Sequence, residues 1–484
     1  MTDSDPEPMG SFTWKAAILG ALVFAAMPCG CTRREDEEKP PLPMPIELSM
    51  DGEPSMVLDG QWDDWTAIES VVSDPAGDTN SVFDLTDVAV TMRGALLHLR
   101  MQFAGAVGLQ SGAEEDGSLV LAIELSPTSR LSIDFRGRTA TIEDGSRSGT
   151  VDWQTLRFAA QPTFMSDAYE LTCDLSAVGV QPGDHLGLQF EDGDSMSRPL
   201  AMVVPPIADT DAVESSLDLA KPEGTMRVVS LNTLHQGTCD PVRGPLIRRT
   251  LQQLAADIVC FNEEWEEPLF IEGVANVLPD FGEDWQTVWS DGCAITTRAP
   301  MESLPFGLER GAVGLVHRSD QESLVVVSIH LPCCGHAGSE QEAERIAAID
   351  VLIDRIRQMR QGQYGQAAKD AGVVVLGDFN LVGSPEPLTK LSGVGLTEVL
   401  PRSLIDGSAM TWSGVNPSDT FWPGRLDCIT LDQQRLGVER TFLFDRATFA
   451  LTNPDEDPSV ASSDHAALVL DVSGRTGTSE ASLP

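Results

Sequence analysis

The sequence predicts two domains, an all-β sandwich followed by an α/β domain built in layers. The chain has 484 residues, which is more than one ordinary hydrophobic core accommodates. In the first half, apolar and polar residues alternate over short stretches, with the two-residue period of half-buried strands. In the second half, short apolar runs alternate with helical stretches, which is typical of a layered α/β domain.

The N-terminus predicts export. Lys15 precedes an apolar run over residues 16–27, which is too short to span a bilayer comfortably. A positive charge, a short apolar run and then small residues form the pattern of a signal peptide, here residues 1–31. An uncleaved membrane anchor is the alternative, and in either case the rest of the chain faces the periplasm or the cell exterior.

The end of this segment resembles a bacterial lipoprotein processing site, Pro28-Cys29-Gly30-Cys31. Cys31 is the better candidate for lipidation because the small residue Gly30 precedes it. Residues 32–45 are charged and proline-rich, so we expect them to be a tether between the lipid and the folded protein.

The β-sandwich is predicted over residues 46–205. Alternation is clearest at Leu97–Phe103, Leu119–Ile123 and Leu131–Phe135. The acidic, tryptophan-containing stretch that starts at Asp59 resembles sugar-binding-like modules related to family 9 carbohydrate-binding modules. Its clustered carboxylates are suited to Ca²⁺. The alternative is that the aspartates cap turns and the tryptophans fill the core.

A linker is predicted over residues 206–224, followed by the α/β domain over 225–474 and a tail over 475–484. Ser339 and Glu342 form a capping box at the start of a predicted helix. The candidate strands of this domain are Met226–Leu231, Leu324–Ile329, Val373–Leu376, Leu426–Leu431 and Ala467–Asp471.

Polar or ionisable residues stand at the ends of several of these apolar runs. Singly, a strand-end Asp or Asn commonly only terminates the strand. Six such events in one domain indicate a site. The residues are Asn232, Glu263, His330, Asp378 with Asn380, Asp427, and Asp464 with His465.

The residue types form a coherent chemical set. Asn232 and Glu263 offer the hard oxygen ligands that Mg²⁺ or Mn²⁺ prefers. The other carboxylates and the histidines offer acid, base and orienting groups. Since no nucleophile-elbow motif marks a serine or cysteine, the set favours direct attack by water.

The order N…E…H…GDFN…LD…SDH resembles the endonuclease/exonuclease/phosphatase family, over roughly residues 225–473. The resemblance implies a four-layered, DNase I-like α/β sandwich and metal-dependent hydrolysis of a phosphodiester or phosphomonoester. It assigns Asn232 and Glu263 to the metal, and Asp464 to support of the site or a second metal.

The same resemblance assigns the remaining residues. Asp378 activates water, and Asn380 holds the phosphate. His330 and His465 stabilise the transition state or protonate the leaving oxygen, and Asp427 orients His465.

The sequence departs from the family pattern at three places. Asn262 stands where a glutamine is usual, and Cys428 follows Asp427 where an aromatic residue is usual. Cys333 and Cys334 lie beside His330, where a disulfide is expected in an exported protein and a soft-metal site is the alternative.

The charge bears on the substrate. Acidic residues outnumber basic ones by 74 to 32, for a formal net charge of −42, which opposes a basic groove along a polynucleotide. A metal site can still supply local positive charge, so nucleic acid, phospholipid and small phosphodiesters all stay open as substrates. A monomer is expected. The alternative function is a non-catalytic surface protein whose sandwich binds a glycan or calcium.

Overall fold

A computed structural model describes residues 46–48, 56–79, 81–110, 118–191, 199–206, 217–278, 284–318, 322–414, 420–455 and 461–474. The predicted signal peptide, the lipid site at Cys31, the tether before residue 46 and the tail lie outside the described residues, as does most of the predicted linker. The described residues all belong to one compact unit that spans residues 43–484.

The first part of the described chain is built from strands. These are β1 (Ile46–Leu48), β2 (Val72–Ser73), β3 (Leu85–Arg93), β4 (Leu96–Val107), β5 (Val120–Ser126), β6 (Ser129–Asp134), β7 (Thr139–Asp144), β8 (Arg147–Val151), β9 (Ala159–Gln161), β10 (Ser166–Asp174), β11 (His185–Glu191) and β12 (Leu200–Val203).

These strands form two sheets that share one hydrophobic core. One sheet has the order β1-β12-β11-β5-β6-β7-β8 and the other β2-β3-β4-β10-β9. The alternation in the sequence is the cause: Leu97, Leu99 and Met101 of β4 point into the core, as do Leu121 and Ile123 of β5. We call this part of the molecule the β module.

The later part of the chain adds helices to strands. Its elements are β13 (Met226–Asn232), α1 (Arg243–Leu254), β14 (Ile258–Glu264), α2 (Glu267–Val277), β15 (Gln286–Ser290), β16 (Gly292–Thr297), β17 (Met301–Ser303), β18 (Gly311–His317), β19 (Ser323–His330), α3 (Glu340–Arg360), α4 (Gln366–Asp370), β20 (Gly372–Asp378), α5 (Glu386–Ser392), β21 (Thr397–Val399), β22 (Asp427–Leu431), β23 (Leu436–Phe444), α6 (Arg446–Thr452) and β24 (Ala467–Gly474).

The four layers predicted for this part are confirmed. Its two six-stranded sheets have the orders β15-β16-β14-β13-β24-β23 and β17-β18-β19-β20-β22-β21. Apolar residues of both sheets pack between them, α1 and α2 cover the outer face of the first sheet, and α3 covers that of the second. We call this part the layered domain.

The Ser339 half of the capping box at the start of α3 is confirmed, whereas the Glu342 side chain accepts from the Gly338 N–H instead of from the Ser339 N–H. The Ser339 side chain accepts a hydrogen bond from the Glu342 backbone N–H, which satisfies a donor that the first helical turn leaves open. Ile349, Ile353 and Ile356 are buried against the second sheet, as their helical spacing predicts.

The acidic, tryptophan-containing stretch has a structural use in the β module. Trp65 is buried, and its Nε1 donates to Oε2 of Glu170 over 3.0 Å. The backbone N–H of Asp59 donates to Glu170 Oε1, and the Asp59 carboxylate pairs with Arg402 of the layered domain. Glu170 thereby holds this stretch in place, and Asp59 links it to the layered domain.

Burial raises the pKa of Glu170 to about 7 from its ordinary 4.5, although it accepts several N–H bonds. Between these two values the folded chain retains a proton that the unfolded chain has released. The free energy of unfolding therefore falls as pH rises from about 4.5 to about 7, by up to about 3 kcal/mol.

We expect Glu170→Gln to flatten this dependence, because the amide does not titrate. Urea unfolding of both proteins between pH 5 and pH 7 measures it, with the exposed Glu143→Gln of β7 as the control. Equal slopes in the wild type and Glu170→Gln would contradict the assignment.

Candidate active site

The candidate residues meet at one end of the two sheets of the layered domain. His330, Asp378 and Asp427 lie side by side, because β19 pairs with β20 at His330–Asp378 and β20 pairs with β22 at Asp378–Asp427. On the facing sheet, β13 ends at Asn232 next to the end of β14. Strand register, rather than loop conformation, therefore sets most of the site.

Asp378 is the centre of the cluster. Its Oδ2 lies 3.0 Å from Asn232 Nδ2, 3.5 Å from His330 Nε2 and 3.8 Å from His465 Nε2. Asn232 Nδ2 also donates to Glu263 Oε1 over 3.1 Å. The structure thus brings together five of the eight predicted site residues around two carboxylates.

The backbone is unusual where these groups are presented. Glu263 has φ +64° and Asn380 has φ +46°, both in the left-handed region that costs a non-glycine residue energy. Gly377 has φ +137°, and a Cβ there would lie 2.1 Å from the Ile329 carbonyl oxygen. Only glycine fits before Asp378, which explains this part of the GDFN motif.

His465 and Asp427 form a buried pair. His465 Nδ1 lies 2.7 Å from Asp427 Oδ2. Burial alone lowers the pKa of His465, but the carboxylates of Asp427 and Asp378 outweigh it and raise the pKa to about 10. His465 is therefore a cation near neutral pH, with its Nε2 facing Asp378 and the orientation fixed by Asp427.

His330 is in the opposite state. Burial lowers its pKa to about 4, so its imidazole is neutral near pH 7. The ring packs on Trp265, with centroids 5.3 Å apart, and Arg310 lies over the same indole. A neutral imidazole whose Nε2 faces two carboxylates has a nitrogen lone pair available for a metal.

Glu263, His330 and Asp378 form a candidate metal centre. One possible ligand atom from each lies within 4.8 Å of the others, and no other such group of three occurs among the described residues. Although burial opposes it, hydrogen bonds from the His235 N–H and Asn232 hold the pKa of Glu263 below its ordinary value. Two carboxylates and one imidazole fit Mg²⁺ or Mn²⁺.

The acidic groups of the β module show no comparable cluster in the described part of the chain, so calcium binding there is not supported. Asp84 instead accepts from the Gly77 N–H, and Asp59 accepts from the Gln61 N–H. These are the turn-capping contacts of the alternative interpretation.

Asn380 and Asp464 line the same pocket, which has a volume of about 200 Å³. Asn380 Nδ2 donates to the Leu331 carbonyl over 2.9 Å, which leaves one amide proton for a ligand. Asp464 Oδ2 accepts from Trp412 Nε1 over 3.0 Å. Asp464 is therefore not one of the three residues of the metal centre. Its hydrogen bond with Trp412 is a contact through which it would support the site, as predicted.

Sequence reasoning missed several supporting residues. Asn262, noted only as a departure from a glutamine, accepts from the Asp378 N–H and donates to Ser328 Oγ, so it joins the two sheets under the site. Thr411 Oγ1 accepts from the Asp427 N–H over 2.9 Å. A lone Thr or Trp in a loop carries no sequence signal for such a role.

Cys333 and Cys334 are free thiols, with their sulfurs 3.0 Å apart, so the disulfide expected there is not formed. Both line the pocket. A hydrogen bond from Cys334 lowers the pKa of Cys333 to about 6.

The layers and the cluster at their strand ends define a DNase I-like domain. The model of the endonuclease/exonuclease/phosphatase family matches residues 229–465, so this part of the chain is a domain of that family. The family predicted from the sequence is confirmed. No curated protein matches the chain.

Solved structures similar to the chain include TDP2 of D. rerio in complex with a single-strand DNA product, at 18% identity over 52% of this chain and 99% of that one, with a TM-score of 0.37. Another is the human nocturnin catalytic domain with bound sulfate, at 19% identity, covering 53% and 97%, with a TM-score of 0.33. A beta toxin variant from Staphylococcus aureus with bound magnesium ions has 16% identity, covering 52% and 100%, with a TM-score of 0.36.

The buried pair yields a direct test. We expect Asp427→Asn to lower the pKa of His465 by more than about one unit, because it removes an opposite charge in hydrogen-bond contact. Histidine NMR titration of the full chain measures this pKa, and Asp354→Asn on the exposed side of α3 is the control. An unchanged His465 pKa would show that Asp427 does not hold the proton.

Proposed function

We propose that the protein hydrolyses a phosphate ester with a divalent cation and with water as the nucleophile. The convergence of Glu263, His330 and Asp378 carries the proposal, because two carboxylates and a neutral imidazole within 4.8 Å form a ligand set for a hard cation. The adjacent His465–Asp427 pair adds an acid whose proton is held in a defined direction.

The residues of the chain divide the chemistry as follows. Asp378, central and buried, accepts a hydrogen bond or a proton from the attacking water. Asn380 donates to a phosphoryl oxygen, and His465 stabilises the transition state by donating from Nε2, with Asp427 fixing its ring. A bound cation, held by Glu263, His330 and Asp378 with Asn232 beside them, would neutralise charge that develops on the phosphoryl group.

Hydrolysis of bis-p-nitrophenyl phosphate by the full chain tests the proposal. We expect EDTA to stop it and Mg²⁺ or Mn²⁺ to restore it. Asp378→Ala and His465→Ala should each lower the rate by at least ~100-fold, the usual scale for losing acid–base help. Asp354→Ala, which changes an exposed residue of α3, should leave the rate within about twofold.

Two outcomes would contradict parts of the mechanism. Unchanged rates in both site variants would refute the assigned roles. Loss of activity in Cys333→Ala, with metal binding intact, would favour attack by the thiol of Cys333 over attack by water.

We also propose that the protein is exported, acts at the cell surface and is attached to the membrane through lipid on Cys31, with residues 206–224 linking the β module to the layered domain. The proposal depends on the charged and apolar segments before residue 31. None of the described helices is both long and apolar enough to cross a bilayer.

Cell fractionation tests the anchor. We expect the wild type in the membrane fraction and Cys31→Ala in the soluble extracytoplasmic fraction, because the lipid attachment atom is removed. Cys29→Ala is the matched control and should stay membrane-bound. Membrane retention of Cys31→Ala would rule out this anchor.

A further inference from the structure

The candidate catalytic pocket is lined by both parts of the molecule. The layered domain supplies the acidic and histidine groups, while the β module supplies Gln110, which follows β4, and Thr163, which lies between β9 and β10. An active site of this domain therefore has one wall from outside the domain itself.

That wall is attached next to the catalytic groups. The Thr163 hydroxyl donates to the Leu381 carbonyl over 2.6 Å, and the Met165 N–H donates to the Gly383 carbonyl over 2.8 Å. Both acceptors lie in the loop that continues from Asn380. Displacement of Thr163 would thus disturb the loop that carries the predicted phosphate-binding residue.

Side chains of each part also pack against aromatic residues of the other. Trp422 of the layered domain is 1% exposed and packs in the core of the β module, with its ring centroid 5.6 Å from that of Phe158 and 5.8 Å from that of Trp153. In the other direction, Arg138 of the β module lies 4.1 Å from the ring centroid of Phe421, which lines the pocket. Separation of the parts would expose Trp422, so the wall is a fixed element of the site.

Gln110 provides the observation that points to a ligand. It is 5% exposed and lines the pocket, yet its Oε1 is buried and accepts no hydrogen bond from the described residues. A buried carbonyl oxygen without a donor costs free energy that a bound hydroxyl would recover. Trp412 and Phe421 line the same pocket and supply apolar surface that suits a small organic group.

We propose that Gln110 is a specificity-determining residue, by which the β module selects a small phosphate ester whose leaving group carries a hydroxyl. This rests on the proposed hydrolytic function. The pocket holds about 200 Å³, which is below the roughly 300–1,000 Å³ typical of small-molecule sites. A nucleic acid interface instead needs a broad basic surface, and this chain has a formal net charge of −42.

Matched substrates isolate the contact. Glycerol phosphate and propyl phosphate have the same carbon skeleton and differ in the hydroxyls, and the methyl esters of both provide the diester forms. We expect the wild type to favour the glycerol esters in kcat/KM. Gln110→Ala should lose at least about tenfold on the glycerol esters and change little on the propyl esters.

Gln181→Ala, which changes an exposed glutamine of the same module, is the control and should keep the wild-type preference. If Gln110→Ala lowers kcat/KM equally on the glycerol and propyl esters, Gln110 has only a structural role. If Gln110→Ala keeps the wild-type preference, Gln110 does not contact the substrate. A higher kcat/KM on single-stranded or duplex DNA than on the glycerol esters would overturn the substrate class.

Failure of the proposed function is a different result. If no ester is hydrolysed under any metal condition, calorimetric titration with glycerol phosphate and propyl phosphate decides the binding proposal alone. A preference of the wild type for glycerol phosphate that Gln110→Ala abolishes would support the contact. Equal affinities in both proteins would end it.

Discussion

The buried carboxylate of Asp378 is the constraint on which the site depends. It is 2% exposed, and an ionised carboxylate in such a place is stable only with hydrogen-bond donors or opposite charge around it. Those donors come from both sheets: the Asn232 amide from one, and the Asn380 N–H, two residues along the chain, from the other. Asn262 accepts from the Asp378 N–H and bonds to Ser328, so it fixes the distance between the sheets at this point. The distance between the two sheets therefore sets the geometry of the site.

These hydrogen-bond donors do not fully compensate the negative charge of Asp378. Burial raises the pKa of Asp378 to about 7, even with His465 close by, so its negative charge is incompletely compensated. His465 is already committed to Asp427 at 2.7 Å. A divalent cation near Glu263 and Asp378 would supply the missing positive charge, since a bound metal is commonly the largest local charge in a site. The strong acidity of the whole chain would also favour cations near its surface, although the selective part of binding must come from the ligand geometry.

Much of this arrangement could be predicted from the sequence, because the sheet determines the positions of residues at the ends of its strands. Apolar runs that end in Asn232, His330 and Asp378 specify both the strand and the place of the polar group on its rim. Glu263 was predicted as a ligand, but its left-handed backbone could not be, since no glycine marks the position. The partners that support the site could not be predicted either, because Thr411 and Trp412 lie in a loop without periodicity. The sequence also could not predict that the β module reaches the pocket, because tertiary packing alone brings Gln110 and Thr163 to the pocket.

This packing changes what the domain is able to select. In an open site, substrate recognition is limited to the groups near the reacting phosphorus, and the leaving group remains in water. In the proposed reaction, a wall fixed by Thr163 and by the burial of Trp422 would surround part of the leaving group with protein, so contacts there would help to orient it for attack. The same wall would also narrow the range of esters that fit. The site would then accept fewer substrates but orient each of them better. A chain that needs only to cleave any exposed phosphodiester gains nothing from such a wall, whereas one that must distinguish a small hydroxyl-bearing ester gains a contact that the layered domain does not provide.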